Sequence, residues 1–250
     1  MKLLGIETAT ELVGVAVGDE GSVAGSLWVT GRRRHTESLT PAISHLMGQV
    51  GIALSDLDAL AVDVGPGLFT GLRVGLATAK GLAAGLGIGL IGLTSLEVLA
   101  WAAFESGWRG EVVAVVDARR SEVFAARYHA GTAVGDPGMV EISPPSLFTP
   151  ADLAAELAAS VGPDPAAPRL VVGDGALRYR GVIEATPGIR VAGAFLAAPP
   201  PAALVALAAH RLSTGTTLVG PNEIEPMYLR EADAKINWIQ RHPPSHEAHP

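Results

Sequence analysis

The sequence predicts an α/β protein whose two halves repeat one plan, and three observations support this prediction. Three apolar runs at the amino end, 2–6, 13–17 and 22–29, with a polar turn before the last, are typical of an antiparallel strand meander. Apolar residues then recur at helical spacing between further strand-like runs. An apolar run that ends in an acid and precedes a hairpin occurs twice, at Glu7 and 110 residues later at Asp117. Chance similarity of two apolar strands is the alternative explanation.

The remaining elements of the first half follow from periodicity and turn residues. Between 36 and 50 the apolar residues recur at spacings of four, three and four, which predicts a helix. Thr94 and Glu97 form a capping box, so another helix is expected from there to about 104. Apolar runs and glycines predict the rest: a strand at 59–64, a loop at 65–70, a small-residue helix to about 86 and a strand at 88–93.

The second half is predicted to contain fewer regular elements. Strands are expected at 112–116, 123–128 and 170–172, and helices at 151–160, capped by Thr149, and at 202–212. Proline and glycine make 131–150 and 162–168 loop-like.

Composition excludes several classes of function. The 18 basic against 25 acidic residues give a net charge of −7, so a chain that grips nucleic acid on its own is not expected. The absence of cysteine excludes disulfides, thiolate metal sites and a cysteine nucleophile. Mean hydropathy is +0.34, but the uncharged runs 81–96 and 191–209 are too short or broken by proline to span a membrane. With an acid at Glu7 in place of a signal-peptide core, a soluble cytoplasmic protein is expected.

The glycine-rich loop before the small-residue helix is a candidate anion site. Backbone amides at a helix start can hold a phosphate, although this loop has no P-loop lysine. Arg73 in the first helical turn opposes the helix dipole unless an anion or an acid of the same chain lies nearby. The candidate anion or nucleotide contacts are Gly65, Gly67, Thr70 and Arg73.

The small-residue helix over 71–86 is a candidate contact surface. Each glycine inside a helix costs roughly 0.5 to 1 kcal/mol relative to alanine, so close packing should offset the cost. Packing against a partner chain and packing within the fold are both compatible with the sequence. The candidate interface residues are Gly71, Gly75, Thr78, Gly81 and Gly85.

Candidates for chemistry are few. The two histidines of metal-like spacing, His242 and His246, are separated by two prolines that exclude a helix, so no metal site is expected. Glu7 and Asp117 are the only carboxylate pair placed for magnesium–nucleotide chemistry, with a structural role in turns as the alternative.

One long motif, the run 65–75 with 79–83, is accompanied by shorter ones that are spread over most of the chain: 6–10, 34–37, 117–124 and 225–230. Together these motifs resemble the TsaB (YeaZ) family, the dimerisation subunit for synthesis of threonylcarbamoyladenosine in tRNA.

This resemblance implies a fold and a role. The fold is the actin-like, sugar-kinase-like ATPase fold (ASKHA) of two ribonuclease-H-like lobes with a reduced second lobe. We therefore expect a first lobe at 1–105, a second at 106–217, a segment 218–240 packing back on the first lobe, and a disordered tail at 241–250. The implied role is non-catalytic, with no cofactor of its own.

The resemblance also implies partners. They are the catalytic paralogue TsaD and the ATPase TsaE, a homodimer when alone, and a possible nucleotide at the partner interface. In that assembly a threonylcarbamoyl group is transferred to N6 of adenosine 37 of tRNAs reading ANN codons. Transfer RNA is expected to contact the chain indirectly, with Arg32, Arg33 and Arg34 as a peripheral phosphate contact.

Departures from the family pattern bear on activity. Glu7, Leu68 and Ser121 replace the usual Asp, Ser and Gly, and the paralogue's metal-binding histidines correspond to Ser95 and Leu99. Serine and leucine cannot hold that iron or zinc, which also argues against the older M22 metalloprotease reading. The opposing hypothesis is an ATP-dependent kinase or phosphatase of the same fold that uses Glu7, Asp117 and the turn 173–175.

Overall fold

The computed structural model describes residues 1–19, 22–30, 35–131, 138–160 and 168–230. The predicted basic contact at 32–34, the predicted tail at 241–250 and most of the predicted loop at 162–168 lie outside the described residues. No helix within the described part of the chain is long and apolar enough to cross a membrane.

The first sheet has five strands in the order β3-β2-β1-β4-β5. The antiparallel meander predicted at the amino end forms its β1, β2 and β3, and β4 and β5 run parallel to β1. Helices cover both faces of the sheet, so β1 and β4 are buried along their whole length. Their residues are therefore apolar or glycine, apart from Glu7 and Asp63. The strands are β1 Leu3–Glu7, β2 Leu12–Asp19, β3 Ser22–Thr30, β4 Ala59–Gly65 and β5 Gly89–Thr94.

The second sheet repeats the first. Its order is β10-β9-β6-β7-β8, with an antiparallel β6-β7-β8 meander and parallel β9 and β10. The strands are β6 Val112–Arg119, β7 Glu122–Ala130, β8 Met139–Phe148, β9 Arg169–Val172 and β10 Ile189–Val191. The short β9 and β10 agree with a reduced second lobe, and the two-lobed actin-like, sugar-kinase-like fold is confirmed.

Seven α-helices are described, and their caps agree with the sequence. Thr94 Oγ1 accepts the amide of Glu97, whose carboxylate accepts the amide of Thr94, so the predicted capping box is present. Thr149 caps α4. The helices are α1 His35–Val50, α2 Phe69–Leu86, α3 Ser95–Glu105, α4 Pro150–Ala159, α5 Asp174–Arg178, α6 Arg180–Ile183 and α7 Pro201–Ser213.

One predicted loop is corrected. Residues 139–148 form the edge strand β8, although Pro144 and Pro145 led to the prediction of a loop over 131–150. At an edge, proline is tolerated because one side of the strand needs no donor, and the pairing with β7 shifts register between Ala125 and Arg127, opposite the prolines.

The carboxyl-terminal half contributes to both lobes. Helix α7 lies within the segment predicted as the second lobe, yet it packs on β1, β2 and β3 of the first sheet. The segment after it also lies on the first lobe, because Val219 pairs with Leu90, Ile224 enters the first core, and the amide of Met227 donates to the carbonyl of Val64.

Candidate functional site

The start of α2 is packed tightly on the turn between β1 and β2. The amide of Leu68 donates to the carbonyl of Ala9 at 2.6 Å, and the hydroxyl of Thr8 donates to the carbonyl of Gly71 at 2.9 Å. A Cβ atom on Gly67 would overlap the carbonyl of Ala9, and one on Gly75 would overlap Thr8 Oγ1. These glycines are therefore required by packing inside the chain.

The predicted interface set is divided by the structure. Gly71 and Gly75 are buried against Thr8 and pack within the chain. Gly81 and Gly85 are exposed, and a Cβ on either would meet nothing within 4 Å. Thr78 is half-buried between the two groups. The carboxyl-terminal half of α2 is thus an open small-residue face.

Arg73 is held by aromatic side chains. Its guanidinium lies 3.7 Å from the centre of the Phe69 ring, and its Nε donates to the hydroxyl of Tyr228 at 3.2 Å. Phe69 and Tyr228 also contact each other, with ring centres 5.3 Å apart. Within the described residues no carboxylate pairs with Arg73, so the cation–π contact, which the sequence did not reveal, takes the place of the expected acid.

The four candidate anion contacts do not converge. The amide of Gly65 is used by Asp63 at 2.6 Å, and Gly67 faces Ala9. Thr70 lines a cleft of about 600 Å³, whereas Arg73 is not part of that lining. Gly65 and Gly67 are therefore used for contacts within the chain, and Thr70 is the one of the four that lines this cleft.

Asp117 lies in a neighbouring cleft of about 770 Å³, and its carboxylate is paired with two arginines. Its carboxylate accepts Nη1 of Arg119 at 3.0 Å and Nη1 of Arg178 at 3.1 Å, and its side chain is 4% exposed. Nη2 of Arg119 extends to Glu11 of the first lobe at 3.0 Å. Two guanidiniums thus occupy the place where a magnesium–nucleotide complex would need a free carboxylate.

The turn at 173–175 packs on β6 of the same chain. A Cβ on Gly173, at φ +107°, would overlap the carbonyl of Val115, and Gly175 is packed on the same strand. Asp174 accepts the amide of Asp117 at 2.9 Å, and burial raises the pKa of Asp174 above its ordinary value. These contacts give the two glycines a packing role.

The turn between β6 and β7 is strained. Arg119, Arg120 and Ser121 all have φ between 54° and 64°, a conformation that side chains with a Cβ adopt at a cost of roughly 1 to 2 kcal/mol each. Arg120 and Ser121 are the two loop residues of the hairpin, where glycine is preferred at the second position. In this strained conformation the side chain of Arg119 contacts the carboxylate of Asp117.

We expect Ser121→Gly to raise the free energy of unfolding by about 1 kcal/mol, because glycine adopts this backbone without a steric cost. Chemical denaturation at equilibrium measures the change. Ser106→Gly, at an ordinary negative φ, is the contrasting variant and should destabilise the chain, because glycine is costlier there and the hydrogen bond from Ser106 Oγ to the carbonyl of Ala103 is lost. A destabilised Ser121→Gly variant would show that the turn is not strained.

Glu7 does not join Asp117 as a carboxylate pair. Its side chain is fully buried beside that of Asp63 on the adjacent strand, a neighbour that no sequence motif indicated. The available signal was an acid inside the apolar run 59–65. Asp63 also accepts the hydroxyl of Ser95 at 2.8 Å, and Leu99 lies in the second-lobe core, so neither position of the metal pair is open. Among the described residues no group of three or more His, Asp or Glu is arranged to hold a metal.

Two mixed sheets of the same strand order on either side of a cleft are the architecture of the actin-like, sugar-kinase-like fold. Residues 29–238 match the family model described as TsaD: tRNA N6-adenosine threonylcarbamoyltransferase. The chain belongs to this family, and within it to the TsaB (YeaZ) group. The structure of YeaZ from Pseudomonas aeruginosa superposes with a TM-score of 0.76 at 28% identity, over 91% of this chain and 99% of that one.

Two curated relatives support the same membership. The tRNA threonylcarbamoyladenosine biosynthesis protein TsaB of Escherichia coli is 38% identical over 128 residues, 51% of this chain and 55% of that protein. The match thus spans about half the length of that relative. TsaB of Bacillus subtilis is 27% identical over 96% of this chain and 99% of its own length.

Proposed function

We propose that this chain is a non-catalytic scaffold and activator in the synthesis of threonylcarbamoyladenosine in tRNA. In this proposal it pairs with a TsaD-like catalytic paralogue in the cytoplasm and works with a TsaE-like ATPase. The assembly transfers a threonylcarbamoyl group to N6 of adenosine 37 of tRNAs that read ANN codons. The names of the TsaB relatives support the pathway, and the geometry of α2 supports the role.

The observation that carries the proposal is the open half of α2. Gly81 and Gly85 have no neighbour within 4 Å of a built Cβ, although glycine inside a helix is costly. Alanine residues at 77 and 84 are exposed beside them. A surface of small residues lets a second helix backbone approach closely, so a partner helix on this face would offset the cost. The proposed interface is therefore Thr78, Gly81 and Gly85 with these alanines.

The same face can join two copies when the partner is absent, so we propose a homodimer for the free chain. In this proposal a nucleotide belongs to the interface with the partner subunit, because the charges that line the two clefts described above are paired within the chain. With a net charge of −7, the chain contacts tRNA mainly through the other subunits.

The alternative is an ATP-dependent kinase or phosphatase that uses Glu7 and Asp117. Three contacts argue against it: Asp117 is held by Arg119 and Arg178, Glu7 is buried with Asp63, and the turn 173–175 is packed on β6. Asp117 would have to leave its two arginines, and Glu7 its buried position, before either carboxylate could bind magnesium.

Reconstitution tests the proposal. We expect modification of adenosine 37 by purified TsaD-like and TsaE-like subunits to need this chain, and to survive in Asp117→Asn, because no catalytic step depends on that carboxylate. Product is measured by mass spectrometry of tRNA nucleosides. Modification that proceeds equally well without the chain would refute the scaffold role. Turnover of Mg-ATP by the isolated chain, abolished in Asp117→Asn, would establish the enzyme instead.

A further inference from the structure

Two carboxyl groups lie side by side inside the first sheet. Glu7 ends β1 and Asp63 lies near the end of β4, and both side chains are fully buried. The parallel register that pairs Ile6 with Val62 makes the two acids neighbours on adjacent strands. Glu7 Oε2 and Asp63 Oδ2 are buried and have no hydrogen-bond partner in the part of the chain that the structure describes. Two adjacent buried carboxylates that are both ionised are strongly disfavoured, so we expect the pair to hold a proton.

The other carboxyl oxygen of each acid accepts a hydrogen bond from a backbone amide. Glu7 Oε1 accepts the amide of Ala9 at 2.8 Å, and Asp63 Oδ1 accepts the amide of Gly65 at 2.6 Å. These amides belong to the two turns that are joined by the bond from Leu68 to Ala9. The carboxyl pair therefore fixes both turns on which the first residues of α2 are built.

We propose that Glu7 and Asp63 share a single proton, carried by Glu7 Oε2 and donated to Asp63 Oδ2, and that this proton is a pH-dependent clasp on the two turns at the start of α2. The assignment follows from the donors, because Asp63 Oδ1 already accepts two hydrogen bonds, from Gly65 and Ser95, as an ionised carboxylate does. Glu7 accepts one backbone bond and is the better site for the proton.

The electrostatics of the site agree. Burial, followed by the charge of Asp63, raises the pKa of Glu7 well above its usual value. Burial also raises the pKa of Asp63, against hydrogen bonds from Glu7, Gly65 and Ser95.

The charges around the pair do not replace the proton. From α3, the negative charge of Glu97 raises the pKa of Asp63, and Glu97 is itself paired with Arg211 at 2.9 Å. From α1, His35 is hydrogen-bonded to the carbonyl of Thr10 at the far end of the turn. Within the described residues no cation contacts either carboxyl.

The proton makes stability depend on pH with a definite sign. Above about pH 4.3 the unfolded chain releases the Glu7 proton while the folded chain retains it. The stabilisation that this proton contributes is therefore complete below that pH. It falls as the pH rises towards and through the folded-state pKa of Glu7. For one proton, the unfolding equilibrium constant rises by up to about tenfold per pH unit, which is about 1.4 kcal/mol.

The proton can be observed directly in the whole chain. With glutamate labelled by ¹³C at the side-chain carboxyl, we expect one resonance at neutral pH to have the shift of a protonated acid and to be missing in Glu7→Gln. Glu105→Gln removes an exposed glutamate and should leave that resonance in place. A wild-type spectrum in which every glutamate is ionised at neutral pH would overturn the proposal, as would stoichiometric metal bound at the pair.

Two further measurements test the clasp. Glu7→Gln imitates the protonated acid, so denaturation from pH 5 to 9 should show a flatter pH dependence than in wild type, while Glu105→Gln keeps the wild-type slope. In wild type, amide exchange at Ala9, Gly65 and Leu68, corrected for intrinsic rates, should increase as Glu7 ionises. A wild-type slope in a folded Glu7→Gln, or exchange independent of that ionisation, would refute the clasp. Should Glu7→Gln fail to fold, the wild-type spectrum and exchange rates still decide. Neither measurement involves a partner, so the result is separate from that of the proposed function.

Discussion

Gly75→Ala is expected to lower the free energy of unfolding by about 2 kcal/mol. The new Cβ would overlap the hydroxyl of Thr8, which is fully buried and fixed by its bond to the carbonyl of Gly71. Overpacking of this kind typically costs 1 to 3 kcal/mol, and the strained hydrogen bond adds to it. The higher helix propensity of alanine recovers only roughly 0.5 to 1 kcal/mol.

Chemical denaturation at equilibrium measures the loss, and Gly81→Ala is the control on the same helix. Since a Cβ at Gly81 meets nothing within 4 Å, that variant should gain roughly 0.5 to 1 kcal/mol from helix propensity. Equal stability of the two variants would mean that the packing of α2 on Thr8 is not as tight as described here.

Gly81→Leu is expected to leave the chain folded and to weaken its association with a partner. A leucine on the open face would keep a partner helix from approaching closely, at a cost of roughly 1 to 3 kcal/mol, or a factor of about 5 to 150 in association. Self-association and binding to the TsaD-like subunit should fall together, and modification of adenosine 37 with them. Sedimentation and titration calorimetry measure the two affinities.

Gly48→Leu is the matched control for this experiment. Gly48 is an exposed glycine of α1 whose built Cβ also meets nothing within 4 Å, so it adds the same side chain to a different helix. It should leave association unchanged. Full association by a folded Gly81→Leu would contradict the proposed interface, whereas an equal loss in both variants would point to a general effect of added leucine.

The structure also accounts for why the nucleotide hypothesis could not be decided from the sequence. Glu7 ends β1 and Asp117 lies two residues before the end of β6, so the two acids occupy similar places in the two sheets, as the sequence pattern indicated. Whether the two acids are free to bind magnesium depends on their neighbours. Strand pairing places Asp63 beside Glu7. Asp117 is paired with Arg119, which lies next to a strained turn, and with Arg178. Since those partners are 56, 2 and 61 residues away in the chain, no local motif indicates all of them.

The sequence by itself determined the elements with strong local signals. Alternating apolar runs, helical spacing, the capping box at Thr94 and the cap at Thr149 depend on neighbours within four residues. The first meander, the β6–β7 hairpin and α1 to α4 were therefore predictable. The strand β8 was not, because its prolines are tolerated only by virtue of its position at the sheet edge.

Tertiary structure alone decided what the glycines of α2 do. On the helix, Gly71, Gly75, Gly81 and Gly85 share one broad face, so the sequence shows a single stripe. From Gly75 to Gly81 the helix rises by about 9 Å, and the turn carrying Thr8 covers only the part before that rise. The first pair is therefore needed for packing inside the chain and the second pair is left open, because the length of a turn elsewhere in the chain sets where the cover ends.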